Sequence, residues 1–257
     1  MTPLDPAAIR FHRQGQGPTV VLLHCLGVTH ALWEPLAPLA DRFTLLSYDF
    51  PGHGEAAPAP GAYTVEALAD QLAARLRAEA IGPVHLCGLS LGGLVAQAFA
   101  ARHPALAGRV VLGDTTPRYP EEMRAMWVTR AAAARREGVA GLVPGLLRIW
   151  FTERFLAADP PAVQWVRATL SACDGEAYAR ACEALGAAEL RPLLPGIAAP
   201  TLVICGTGES PAFRDAARLM AGTIPRARLE WVGPAGHCSV REQPARWREA
   251  VGSFLSG

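Results

Sequence analysis

The chain has 257 residues and a mass of 27.2 kDa; 24 basic side chains stand against 23 acidic ones, and 51% of the residues are hydrophobic. This is the size of one large domain, or of one domain carrying an insertion, and it excludes a mainly disordered chain. A formal charge of +1 excludes the basic excess that a nucleic-acid partner demands.

Residues 9–13 read as an antiparallel edge strand. Apolar runs follow at 19–24 (TVVLLH), 43–48 (FTLLSY), 84–88 (VHLCG), 109–113 (RVVLG), 201–206 (TLVICG) and 228–233 (RLEWVG). Each ends at a turn and is apolar on both faces, as buried parallel strands are. Between them Thr64 is placed to cap a helix in which Val65, Leu68, Leu72 and Leu76 recur at helical spacing. Further helices are expected at 91–102, stopped by His103-Pro104, and at 244–255. The alternation predicts an α/β fold, with an open, mostly parallel sheet flanked by helices.

That alternation breaks between Pro117 and Pro200. The stretch has no strand pattern, has helical patterns at 121–136 and 176–185, and holds Trp127, Trp150 and Trp165. It reads as a helical cap over the strand ends, dividing the chain into core 1–116, cap 117–199 and core 200–257. The plainer alternative is that these helices only cover one face of the sheet.

All 24 basic residues are Arg, so Schiff-base, pyridoxal-phosphate and P-loop lysine chemistry are excluded. Asn is also absent, and with it any N-glycosylation site. The six cysteines form no C-x-x-C pair, and Cys87 and Cys205 fall inside strand runs. They read as reduced core thiols of a cytoplasmic protein. The segment MTPLDPAAIRFHRQ lacks the basic-then-apolar pattern of a signal peptide, and no apolar run reaches the roughly 18 residues that span a bilayer, so no membrane partner is expected. With no H-E-x-x-H cluster and no G-x-G-x-x-G after the first core strand, neither a metal nor any other cofactor is implied.

The strongest chemical signal is Gly88-Leu89-Ser90-Leu91-Gly92, a G-x-S-x-G with a strand before it and a helix after it. Glycines two residues to either side let Ser90 protrude from a strained turn. The dipole of the following helix favours an anion there. At the end of the first core strand, His24-Cys25-Leu26-Gly27 can turn the Leu26 N–H towards a substrate carbonyl. Together with the Leu91 N–H it would form an oxyanion hole, each donor contributing roughly 3–4 kcal/mol in a transition state. A Ser hydroxyl needs a base. Of the seven histidines, His237 lies in a Gly/Pro-rich loop after the last strand, at the same sheet edge. His53, in PGHG, reads as a turn residue, and His24 as a local hydrogen-bonding group beneath the oxyanion loop.

The order of oxyanion loop, DFPGHGE (49–55), GLSLGG, insertion, VICGTGE and GPAGH resembles the α/β-hydrolase superfamily over nearly the whole chain. HCLGVTHALW, GLSLGGLVAQ and RIWFTERF resemble the 3-oxoadipate enol-lactonase and carboxylesterase group. The resemblance implies a serine hydrolase that cleaves a small-molecule ester or lactone through an acyl-enzyme. It also implies a third member that orients His237. The family usually carries Asp after the penultimate core strand, but Glu209 stands here and the loop that follows it is shortened. Asp114, after strand 109–113, is the alternative, since certain haloalkane dehalogenases take the acid from that strand end. A dehalogenase of this fold would carry Asp, not Ser, at position 90. In the cap, Trp127, Trp150 and Phe151 are candidates to line an apolar pocket, and Arg124, Arg130, Arg135 or Arg148 to hold a substrate carboxylate; the plainer reading turns the arginines to water. General esterase, cofactor-free perhydrolase or C–C cleavage chemistry fits the same residues. A non-catalytic binding protein of this fold is the alternative outside enzymology.

Overall fold

A computed structural model describes residues 3–257. In chain order the main elements are β1 (His12–Gln14), β2 (Thr19–Leu23), β3 (Thr44–Tyr48), α1 (Val65–Ala78), β4 (Val84–Leu89), α2 (Leu91–Arg102) and β5 (Ala107–Gly113). Then come α3 (Glu121–Glu137), α4 (Val143–Trp150), α5 (Glu153–Ala157), α6 (Pro161–Ser171) and α7 (Gly175–Ala187). The chain closes with β6 (Thr201–Gly206), α8 (Pro211–Thr223), β7 (Ala227–Val232), α9 (Ser239–Glu242) and α10 (Pro244–Ser256). The strands form one seven-stranded sheet in the order β1-β3-β2-β4-β5-β6-β7. Only β1 is antiparallel, against β3, and every other pairing is parallel.

The Val, Leu and Ile residues of β2, β4 and β6 are buried on both faces, as the apolar runs predict. β7 departs from that expectation. It lies at the sheet edge and is mostly half-exposed, so its apolar run reflects one covered face. The β1 edge strand forms later and shorter than residues 9–13. On one face of the sheet, α2 is buried from Leu91 to Ala100, because it packs against β4 and β5 and is covered by α1. The Thr64 hydroxyl accepts the Ala67 N–H at 3.1 Å and starts α1, a cap worth about 1 kcal/mol.

His30–Asp41 forms a 3-10 stretch that no apolar periodicity announces, since Pro35 and Pro38 interrupt it. Asp49 fastens it to the turn after β3. Its Oδ1 accepts the His30 N–H at 2.6 Å and its Oδ2 the Glu55 N–H at 2.9 Å.

The segment between β5 and β6 holds five helices, with α3 packed along α7 and α4 against α6. Its two ends meet: Arg118 bridges Glu189, and the Leu190 N–H donates to Pro117 O at 2.9 Å. All six cysteines are unpaired thiols, and Cys173 alone is not fully buried. Among the described residues no helix is long and apolar enough to cross a membrane.

Candidate active site

Because β2, β4, β5, β6 and β7 run parallel, their C-terminal ends share one edge of the sheet, where ligands of open α/β sheets bind. Ser90, Leu26, Leu91, Asp114, Glu209 and His237 each lie within a few residues of one of those ends. Ser90 stands between β4 and α2 with φ 53° and ψ −112°, a conformation that costs on the order of 1–3 kcal/mol in a non-glycine residue. Besides the first bond of α2, from the Leu94 N–H to the Ser90 carbonyl at 3.0 Å, two contacts with the β5 side hold it there. Its N–H donates to Gly113 O at 2.9 Å, and the Thr115 hydroxyl donates to its carbonyl at 2.8 Å. A side chain at Gly88 would strike the Gly92 backbone, and one at Gly92 would strike the carbonyls of Leu23 and His24. The motif's glycines therefore let the elbow close on itself and let the β2 loop approach it.

His24 stabilises that loop from below. Its Nε2 accepts the Phe50 N–H at 2.9 Å, so the proton sits on Nδ1 and is donated to Cys25 O at 2.8 Å. Burial and the nearby His53 ring push its pKa down to about 3, leaving a neutral ring. His53 is buried in its turn, with Nδ1 3.2 Å from Pro51 O. The backbone N–H groups of Leu26 and Leu91, beyond β2 and at the first position of α2, have no acceptor among the described residues.

His237 follows β7 and is nearly buried. Its Nδ1 lies 2.5 Å from Glu209 Oε1, and Glu209 Oε2 accepts the Ser210 N–H at 2.9 Å. The loops carrying the pair are stitched together: Thr207 N–H donates to Val232 O and Gly208 N–H to Ala235 O, both at 2.8 Å. Burial works to lower the His237 pKa, but the charge and hydrogen bond of Glu209 outweigh it, and the value is raised. Asp114 does not reach the imidazole. Its Oδ1 accepts the Gly206 N–H at 2.8 Å, and its Oδ2 accepts the Ser239 hydroxyl, which in turn accepts Trp247 Nε1–H at 2.8 Å. Burial, and then the Glu209 charge, raise the Asp114 carboxyl well above its ordinary range. The Cys238 thiol beside His237 is pushed up to about 12 by burial, so it is un-ionised at neutral pH.

Ser90, His237 and Glu209 line one cavity of about 620 Å³. Of the aromatic candidates, Trp127 and Trp150 line it, and the Trp150 ring lies 6.1 Å from that of His237. Phe151 does not; it stacks on Phe155 at 5.4 Å. Trp165 lies under the Arg241 guanidinium at 4.3 Å. Arg130 and Arg148 reach the cavity. Arg135 is taken up by Glu176 and Glu183, and Arg124 by Gly186 O and Glu121. Tyr119, Met123, Met126 and Phe213 also line it and were not singled out from the sequence. Phe213 packs edge-on against His237 at 4.9 Å, and the buried Tyr119 hydroxyl neighbours that of Ser90. No local motif marks them, because the packing of α3 and α8 decides which of their faces is covered.

Residues 20–250 match the family model described as alpha/beta hydrolase family. The chain belongs to that family and is a hydrolase, which sets aside the binding-protein alternative. It is 30% identical over 243 residues to 3-oxoadipate enol-lactonase 2 of Acinetobacter baylyi, covering 94% of this chain and 90% of that protein. It is 35% identical over 250 residues to a pimeloyl-[acyl-carrier protein] methyl ester esterase of Chromobacterium violaceum, covering 94% and 95%. The crystal structure of the enol-lactonase from Burkholderia xenovorans superposes with a TM-score of 0.92 at 35% identity, covering 97% of this chain and 96% of that one.

Proposed function

We propose that this hydrolase cleaves a carboxylic ester or lactone through an acyl-enzyme on Ser90. The observation that carries the reading is the His237–Glu209 bond at the wall of the cavity that Ser90 lines. Glu209 holds the imidazole proton on Nδ1, which leaves Nε2 to accept the proton of Ser90 as its oxygen attacks the carbonyl. The N–H groups of Leu26 and Leu91 receive the oxyanion. His237 then protonates the leaving oxygen and, in the second half, activates the water that releases the acyl group. Residues 117–199 act as a cap, supported by the cavity wall that Trp127 and Trp150 supply. No cofactor enters these steps. A fluorophosphonate should label the wild type stoichiometrically at Ser90 and leave Ser90→Ala unlabelled, by intact and peptide mass. A folded wild type that takes no label overturns the reading.

A 3-oxoadipate enol-lactone-like substrate is the finer reading. It is favoured by the likeness to the enol-lactonases and by two guanidinium groups at the cavity, Arg130 and Arg148, that have no acidic partner among the described residues. Arg130 stacks over Trp127 at 4.6 Å, at the rim of an otherwise largely apolar space. Against a carboxylate-bearing ester, Arg130→Gln should lose on the order of 10-fold to 100-fold in kcat/KM, as for a charged hydrogen bond, and far less against a neutral ester of equal length. Equal losses on both esters would leave the general esterase reading.

A further inference from the structure

Glu242, the last residue of α9, is 6% exposed and has no cationic partner among the described residues. A buried carboxylate without a counter-charge is costly unless hydrogen bonds replace its water, and here they come from two separate parts of the chain. Its Oε2 accepts the Gly236 N–H at 2.9 Å and the Thr152 N–H at 3.3 Å, and its Oε1 accepts the Thr152 hydroxyl. Gly236 directly precedes His237. Thr152 is the joint between α4 and α5, and its hydroxyl oxygen also accepts the Phe155 N–H that starts α5. On the other side of His237, the Cys238 N–H donates to Trp150 O at 2.8 Å. The imidazole is thus flanked by two backbone N–H groups, and both are anchored on the α4–α5 joint, one directly and one through Glu242. That joint also touches the loop of the acid, since a side chain at Gly208 would meet the Thr152 methyl at 3.3 Å.

We propose that Glu242 is a positioning residue for His237. It bolts the base to the α4–α5 joint, so that the imidazole and the Trp150 wall of the cavity keep one geometry. This rests on the reading of His237 as the general base. A displacement of about 1 Å at a catalytic group costs on the order of 100-fold, and Glu242 acts at that level without touching substrate.

The test uses full-length protein and 4-nitrophenyl butyrate, with Ser90→Ala alongside. Glu242→Gln and Thr152→Val should each lower kcat about 10-fold to 100-fold while KM changes less than about threefold, the signature of a displaced base rather than a damaged pocket. Thr152→Ser, which keeps the hydroxyl, should restore kcat to within about twofold of wild type. The double variant Glu242→Gln/Thr152→Val should fall no further than the worse single one, because both break the same link. A wild-type kcat in Glu242→Gln, with only the melting temperature lowered, overturns the inference, as do losses that multiply in the double variant. If Glu242→Gln does not fold, the Thr152→Val and Thr152→Ser pair decides: equal kcat in the two overturns it. Full turnover by Ser90→Ala would instead mean that the acyl-enzyme reading has failed.

Discussion

The loops after β5 and β6 each place a buried acid at the same sheet edge, and each acid came from the sequence with a claim on the same role. Their surroundings separate them. Glu209 faces the cavity and meets an imidazole that can carry a positive charge. Asp114 turns inwards, where a backbone N–H, a serine hydroxyl and, behind that, an indole N–H close a neutral network. A carboxylate beside a group that becomes cationic gains stabilisation as charge develops, whereas one in a neutral network gains little and is raised by burial instead. Position beyond a strand end is therefore not enough to assign the acid. In the proposed mechanism its partner marks it, and Glu209 is the one that meets His237.

The sharpest way to break this comparison is to neutralise each acid in turn. Glu209→Gln should lower kcat by up to about 10⁴, the scale seen when an orienting acid is lost and the wrong imidazole tautomer is favoured. Steady-state turnover of 4-nitrophenyl butyrate measures it. Asp114→Asn should keep kcat within about tenfold of wild type. Its cost falls on stability, about 1–3 kcal/mol for imperfect partners of the Gly206 N–H and Ser239 hydroxyl, read by thermal unfolding. If Asp114→Asn is the slower enzyme, the assignment of the two acids is reversed.

The smallest effect is in pH dependence, and its sign follows from His237. The raised folded-state pKa means that the acid limb of kcat/KM should lie above the ordinary histidine value of 6.5. Removing the Glu209 charge should move the residual limb of Glu209→Gln to lower pH; a limb that stays put breaks the electrostatic link. The same shift makes the charged imidazole a stabilising element below pH 6.5, and that contribution fades as pH rises through the raised value. Unfolding curves of wild type and Glu209→Gln across that range would reveal it.

Much of the molecule was legible in the chain itself. The apolar runs located the six parallel strands and their order along the chain, because burial on both faces demands continuous Val, Leu and Ile inside the sheet and, at the β7 edge, one covered face still demands apolar side chains. Ser90 was legible because a strained elbow admits only glycine at Gly88 and Gly92. His237 was legible because it sits in a Gly/Pro-rich loop beyond the last strand. Three things were not. The sequence put Glu209 ahead of Asp114 but left both open, since the choice rests on side-chain direction: the Glu209 carboxylate meets Nδ1 and that of Asp114 meets the Gly206 N–H. The cavity wall was only partly named, because Trp127 and Phe151 look alike in sequence, and only packing turns one to the cavity and the other onto Phe155. Glu242 carried no signal at all, as its partners Thr152 and Gly236 are brought to it by the return of the chain from the segment between β5 and β6. Local sequence determines which backbone segments bury their side chains and which turns need glycine, for these depend on near neighbours. Which carboxylate meets which imidazole or amide depends on contacts between residues far apart in the chain, and only the folded structure decides that.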